Sequence, residues 1–346
     1  MKKTKQYISL LLAAFMAAGL SSCIKEDYAG ASDETATVNL VFDTRADNDG
    51  DGLDDDALPG EGIKTLRVII VDTDNNRVDV NELRDFSGET PQPVLQKTLT
   101  IMGLPVGNKD FYVIANEASV GLIGLDTPRP GDSFNEAEKS ALLSTLIKDE
   151  QRTYFPSTDT EIEKNGLPIA GTVSAKITGA EDQTIEIPIT RAVAKFVLYI
   201  TNESGQAFDL TNVNFGQFVA DRTRLFPDQS AVQDIIHDEW NASCTTSVSA
   251  DADGTEAVFT GYIYETGTLG AENFTLSLTS PTDGFEALKT PVLINFSQAG
   301  RNYINRNEQV EIHATVNVNR EVEVDNLEIL VVPWDDNHII EVPPFE

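Results

Sequence analysis

The chain has 346 residues, 40% of them hydrophobic, so it can bury one large core or two ordinary ones. Its 25 Lys and Arg against 56 Asp and Glu give a formal net charge of −31. A surface so acidic repels nucleic acid and anionic lipid, which excludes both as binding partners.

The first 22 residues have the composition of a secretory signal peptide. Three lysines precede an apolar segment at residues 8–20, which is shorter than the roughly 20 residues that span a bilayer. The sequence Leu-Ser-Ser-Cys then ends at Cys23, as in a lipobox whose cysteine is acylated after cleavage. If Cys23 carries lipid, Cys244 has no intramolecular partner and packing alone must stabilise the fold. Residues 24–27 resemble a signal that carries lipoproteins to the outer face of the outer membrane.

A strand is predicted at residues 36–43, close to the lipid attachment point. Ala36, Val38, Leu40 and Phe42 alternate with more polar residues, which is typical of a strand with one buried face.

Arg45 is a lone basic residue between this strand and an acidic run. Exposed backbone there would be open to a trypsin-like protease cutting between Arg45 and Ala46. Such a cut would remove the lipid and the strand together.

The acidic run at residues 47–56 begins like a calcium loop, since Asp47, Asp49 and Asp51 alternate ahead of a glycine. The twelfth position is Leu58 instead of the closing glutamate. Calcium is the only cofactor that the sequence suggests; the alternative is a flexible acidic linker that presents the cleavage site.

Most remaining elements are predicted to be strands, with one helix after Ser133, where Ser133 and Glu136 form a capping box. A single short helix among many strands indicates β-sandwich architecture. Pro188 would interrupt a central strand, so two strands meet there and a boundary between two all-β domains is expected near Arg191. The further strands are predicted at residues 66–72, 94–102, 111–116, 172–177, 213–219, 257–264, 274–279, 292–296, 309–318 and 327–332.

Catalytic motifs are missing from the sequence, which predicts that the protein is not an enzyme. It contains no nucleophile elbow, phosphate loop or paired-cysteine metal site, and its three histidines are His237, His313 and His338. Glycan binding is the competing hypothesis. It would depend on Trp240, placed in a predicted loop at residues 237–243, since Trp334 more plausibly packs beside the C-terminal tail.

Several segments together resemble the fimbrillin superfamily of lipoprotein-derived type V pilins, the major and minor fimbrium subunits of anaerobic Gram-negative bacteria. The most specific is Arg-Ala-Val-Ala-Lys at residues 191–195. Besides the lipobox, the others lie at residues 104–116, 167–171, 187–198, 262–265, 301–303 and 331–334.

The resemblance implies two tandem transthyretin-like β-sandwiches with one short helix in the first. The expected divisions are a signal peptide at 1–22, a lipidated propeptide with a removable first strand at 23–45, an N-terminal domain at 46–190, a C-terminal domain at 191–326 and a donor-strand tail at 327–346.

It also implies a mode of assembly. An arginine-specific protease cuts after Arg45, the strand carrying Val38, Leu40 and Phe42 leaves, and a donor strand from another subunit fills the groove. The donor residues would be Leu327, Ile329 and Val331, whose alternation suits strand addition. The implied partners are further copies, accessory subunits, the protease and, before cleavage, the outer membrane, from which the protein passes to an extracellular fimbrium used in adhesion and biofilm formation.

Within such a family the chain is expected to be a shaft subunit, because it has Arg45, an alternating tail and no additional domain. The alternatives are a lipid-retaining anchor, a tip subunit or a surface glycan-binding lipoprotein.

Overall fold

The computed structural model describes residues 34–44, 60–89, 94–122, 124–148, 164–179, 183–227, 235–250, 257–294, 302–323 and 331–333. Its helical elements are α1 Glu136–Leu143 and 3-10 turns at Glu117–Val120, Ala271–Asn273 and Glu286–Lys289. The strands in chain order are β1 Thr35–Asp43, β2 Thr65–Asp72, β3 Arg77–Asp85, β4 Gln96–Pro105, β5 Gly107–Ala115, β6 Leu146–Lys148, β7 Ile169–Ile177, β8 Gln183–Pro188, β9 Thr190–Arg191, β10 Val193–Asn202, β11 Phe208–Ala220, β12 Arg222–Arg224, β13 His237–Val248, β14 Ala257–Tyr264, β15 Thr275–Thr279, β16 Val292–Leu293, β17 Glu308–Val316, β18 Val322–Glu323 and β19 Val331–Pro333.

The first sandwich packs a three-stranded sheet, β4-β1-β8, against a five-stranded sheet, β3-β2-β5-β7-β9. Alternate residues of β1 join its core, as the period of two requires. From the opposite sheet, Val68 and Phe111 fill the space between the layers.

The second sandwich packs β14-β10-β17-β18, with β19 also paired to β17, against β13-β11-β15-β16. Its core contains an aromatic group in which Phe196 lies 5.2 Å from Phe215 and 6.4 Å from Trp240, between ring centroids. Such pairs stabilise a core beyond the area they bury.

A third apolar cluster lies outside the five-stranded sheet of the first sandwich. It contains Tyr112 and Ile114 of β5 together with Phe226, Tyr262 and residues around them. The short strands β6 and β12 pair nearby. The described residues from Glu34 onward therefore belong to one compact unit.

The predicted all-β class is confirmed, with two sandwiches and, within the described ranges, one short α-helix in the first. The helix start was wrong: Asn135 caps it, accepting hydrogen bonds from the amides of Ala137 and Glu138, and Glu138 completes the capping box. Ser133 instead forms a β-bridge with Arg77.

The exposed loop predicted around Trp240 is also wrong. Residues 237–248 form β13, and Trp240 is only 7% exposed and stacks on Phe215 at 5.1 Å. Small polar residues around it hide the strand in the sequence, because such residues are poor strand formers on average.

Candidate functional site

The strand β1 is the middle of its sheet and is bonded along both edges. It runs antiparallel to β4, with Leu40 opposite Leu99, and parallel to β8, with Leu40 opposite Ile185. Val38, Leu40 and Phe42 are each 0% exposed. The side chains predicted to face the core do so.

Within the described residues β4 and β8 pair with β1 and not with each other. Without β1 the sheet would have a gap one strand wide, lined by unpaired backbone groups. Burying each large apolar side chain of β1 contributes about 1.5–3 kcal/mol, and that contribution would be lost with the strand. The position of β1 thus suits one strand with alternating apolar residues.

The C-terminal end of β1 is held by Thr44, which is 1% exposed. Its amide and its hydroxyl both donate to the carbonyl of Leu95, at 3.2 and 3.3 Å. Arg191, also 1% exposed, donates to the Thr44 carbonyl at 3.5 Å and to its hydroxyl at 3.3 Å. The residue before Arg45 is therefore fixed to the body of the protein.

Arg191 and Lys195 both reach the segment around Glu61. The Arg191 guanidinium donates to the Glu61 carbonyl at 3.4 Å, while the Lys195 ammonium lies 2.9 Å from the Glu61 carboxylate. The Tyr262 hydroxyl donates to the same carboxylate at 2.6 Å. Glu61 is 0% exposed, so these donors supply the partners that a buried carboxylate needs. The basic residues of the segment 191–195 thus join the end of β1 to both sandwiches.

Asn116 has a structural role in the segment 104–116, the second of the segments that carry the resemblance. It adopts a left-handed conformation with φ of 59°, and its side chain accepts from the amides of Lys64 and Thr65 and donates to the carbonyls of Gly62 and Leu167. One amide side chain therefore fixes the entry to β2 and the entry to β7.

Lys109 lies in the same segment and is buried with two carboxylates. Its ammonium is 2.6 Å from Asp72 and 2.7 Å from Asp79. Burial raises the pKa of Asp79, although the nearby lysine opposes that shift. The single ammonium balances one of the two carboxylates and holds both, so the cluster is structural in character.

The connection between the sandwiches contains a further ion pair. Arg306 lies 2.6 Å from Glu265, which also accepts from the Thr223 hydroxyl at 2.7 Å. Burial alone would raise the pKa of Glu265, but the guanidinium and the hydroxyl outweigh it and the pKa is lowered.

The remaining predicted site residues fall almost entirely outside the described part of the chain, as Trp334 and His338 also do. Val331 begins β19 and pairs with Val310 of β17. No group of three metal-ligating side chains occurs in the described ranges, and no helix there is long and apolar enough to cross a membrane. The predictions that stay untested for this reason concern Cys23, Arg45, Ala46, Asp47, Asp49, Asp51, Leu327 and Ile329.

Thr44 and Glu61 were missed in the sequence. The available signal was Arg191 and Lys195 in an otherwise apolar run, because a buried basic side chain requires a buried acceptor. Only the fold brings the acceptors, more than a hundred residues earlier, to that run.

Solved structures share the fold at low sequence identity. A proposed cell adhesion protein from Parabacteroides distasonis is 12% identical with a TM-score of 0.53, covering 84% of this chain and 91% of the other. The tip fimbrial protein Mfa3 from Porphyromonas gingivalis, with a C-terminal truncation, is 14% identical with a TM-score of 0.50, covering 83% and 98%. A proposed cell adhesion protein from Bacteroides eggerthii is 16% identical with a TM-score of 0.50, covering 82% and 87%.

A comparison with curated protein sequences gave no match. The family model of fimbrillin-A associated anchor proteins Mfa1 and Mfa2 matches residues 31–336. Because that match spans most of the sequence, the chain belongs to this family of fimbrial proteins, whose place is the cell surface.

Proposed function

We propose that the chain is a structural subunit of a fimbrial shaft that polymerises by strand exchange. In this proposal it is exported as an outer-membrane lipoprotein acylated at Cys23 and is activated by cleavage after Arg45. The observation that carries the proposal is the position of β1, a central strand with one fully buried face that ends two residues before Arg45.

Loss of β1 would leave a state of high free energy that a replacement strand can stabilise. The gap between β4 and β8 exposes backbone donors and acceptors together with the apolar side chains that Val38, Leu40 and Phe42 cover. A strand with the same alternation restores both the hydrogen bonds and the buried surface. Because many such contacts must break together, the resulting joint is expected to dissociate slowly.

The proposed donor is the C-terminal tail, through Leu327, Ile329 and Val331. Val331 belongs to β19, which pairs with β17 of the same chain over three residues. So short a contact is easily opened compared with the nine-residue β1. The tail would leave β17 and enter the groove of a neighbouring subunit.

A ladder experiment tests this function. Material extracted from the cell surface should run unheated as an SDS-resistant series of polymers, whereas Arg45→Ala should give monomer only. Arg84→Ala is the matched control, since Arg84 is an arginine with a 54% exposed side chain on β3. Polymers formed by Arg45→Ala would show that cleavage there is not the trigger.

The second candidate is an anchor that keeps its lipid and β1. Two observations favour it: the family description names anchor proteins, and Thr44 is held by Leu95 and Arg191. An anchor would offer its tail or another surface to the shaft and would remain acylated at Cys23.

A glycan-binding lipoprotein is less well supported. Its best candidate contact, Trp240, is buried in the aromatic core and cannot stack on a sugar without unfolding β13. The family and the fold are those of fimbrial structural proteins and not of enzymes.

A further inference from the structure

The strand β13 lies at the edge of the second sandwich. It spans His237–Val248 and pairs with β11, and within the described residues no strand pairs with its other side. Its ladder with β11 is regular over 240–243 and 246–248, with a register shift between. An edge strand of this kind presents a row of free backbone donors and acceptors.

The charge on this edge is confined to its first residues, Asp238 and Glu239, whereas the edge strand β3 is charged along its length. The edge strand β3 carries Arg77, Asp79, Glu82, Arg84 and Asp85, and the edge strand β4 carries Lys97 and Pro105. Charged residues and proline are common devices against edge pairing. From residue 240 to residue 250, β13 and its extension contain no Asp, Glu, Lys, Arg or Pro.

The uncharged region extends to the neighbouring strands. Residues 210–220 of β11 and 274–282 around β15 also lack charged side chains, as does β14, whose Gly261 packs against Trp240. From residue 240 onward the exposed side chains of β13 are small and neutral: Asn241, Ser243, Thr245 and Ser247; the exposed Glu239 lies at the start of the strand. In a chain with 23% charged residues and a net charge of −31, this side of the second sandwich is unusual.

We propose that β13 is a self-association edge, on which a second copy of the chain adds its own β13 in antiparallel orientation. Two copies with a charge of −31 repel each other over most of their surfaces. Contact through an uncharged edge brings the fewest carboxylates together.

The charges at the start of β13 fit this arrangement. Antiparallel pairing centred on Ser243 sets Glu239 opposite Ser247 and Asp238 opposite Val248, so no two carboxylates of β13 face each other. The contact is the same on both copies, as a twofold interface requires. It joins the two four-stranded sheets into one continuous sheet.

Sedimentation equilibrium of the chain from residue 24 onward, which keeps the compact unit 34–346, tests the proposal. Because the remaining surfaces repel, the dimer should strengthen when ionic strength rises from about 0.05 M to about 0.5 M. Ser243→Glu and Ser243→Lys both place like charges opposite each other at the twofold axis. Each should weaken the dimer about tenfold or more.

The two signs of charge separate edge pairing from general electrostatics. If only net charge mattered, Ser243→Lys would strengthen association and Ser243→Glu would weaken it. Thr98→Glu and Thr98→Lys are the matched controls, since Thr98 is exposed on the edge strand β4, and they should leave the dimer unchanged. Circular dichroism confirms folding of each variant. If a Ser243 variant unfolds, the double variants Asn241→Glu with Thr245→Glu and Asn241→Lys with Thr245→Lys replace it, because residues 241 and 245 lie opposite each other in this register.

A dimer that survives both Ser243 variants, or that the Thr98 variants weaken equally, overturns the proposal. Monomers at every salt and protein concentration also overturn it. If such monomers are retained on a dextran matrix and Ser243→Glu abolishes retention, the edge belongs to a neutral glycan. The inference concerns the folded chain alone and does not depend on the proposed fimbrial role.

Discussion

Arg191 donates hydrogen bonds to both the carbonyl and the hydroxyl of Thr44, at 3.5 and 3.3 Å, although 146 residues separate the two along the chain. Thr44 directly precedes Arg45, and a protease must hold several residues around the bond it cuts in extended form. The end of β1 must therefore loosen before cleavage after Arg45, because nicking favours exposed and mobile backbone. If the proposed cleavage occurs, Arg191 links it to the packing between the sandwiches.

Replacing Arg191 by methionine should loosen this end. Arg191→Met removes the guanidinium that donates to the carbonyls of Thr44 and Glu61, and the loss of a hydrogen bond to a buried acceptor costs about 1–3 kcal/mol. Urea unfolding should show the loss of stability, and limited trypsin digestion should cut after Arg45 faster than in the wild type. Arg84→Met, at an exposed position, should change neither. Equal cutting rates in Arg191→Met and the wild type would show that Arg191 does not control access to the proposed cleavage site.

Acid should remove the contribution of Glu265. Its pKa is lowered in the folded protein, because Arg306 and Thr223 outweigh the effect of burial. The stabilisation is complete above the unfolded pKa of about 4.3 and is lost as pH falls through the folded pKa. The difference in unfolding free energy between the wild type and Glu265→Gln should therefore shrink from about pH 7 to about pH 3. Glu272→Gln, at an exposed position, is the control, and a Glu265→Gln difference that is constant with pH would contradict the assignment.

Two truncations test the proposed donor role of the tail separately from the pairing of β19 with β17 in the same chain. Deleting residues 334–346 keeps β19 on β17 and the proposed donor residues Leu327, Ile329 and Val331, so the chain should stay folded and still form polymers. Deleting residues 327–346 removes those residues and should abolish polymers while both sandwiches stay folded. Circular dichroism and the unheated gel report the two properties separately. An unfolded product from either deletion would make the tail part of its own sandwich.

Acylation is tested at Cys23 directly. Cys23→Ala should abolish incorporation of radiolabelled palmitate and leave unassembled precursor in the periplasm, because lipid is the only membrane attachment proposed. Cys244→Ala is the control, since burial raises the pKa of that thiol to about 11 and makes it a poor nucleophile. Palmitate still present in Cys23→Ala would mean that another residue carries the lipid.

Strong periodicity in the sequence predicted the fold well where strands bury one face. The alternation around Leu40 predicted β1, and the apolar run ending at Asp72 predicted β2. β3 was not predicted because its charged residues suit a solvent-facing edge, and β13 was taken for a loop because Asp238 and Asn241 flank Trp240 and such residues are depleted in strands. Edge strands satisfy only half of their backbone groups within the sheet, so their sequences show weaker patterns.

The environment of β1 could be predicted from the sequence only in part. The inward residues of β1 follow from its own period, whereas the contact of Thr44 with Arg191 depends on how strands far apart in sequence assemble. Glu61 lies between two glycines in a segment without regular structure, where no periodicity marks a buried position. Long-range polar contacts of this kind require the fold.

The N-terminus of the protein on the cell surface tests the central claim most directly. Intact mass and N-terminal sequencing of surface-extracted protein should show a chain that begins at Ala46 and lacks both Cys23 and β1. A surface form that begins at acylated Cys23 and retains β1 would contradict the shaft function and establish the chain as an anchor.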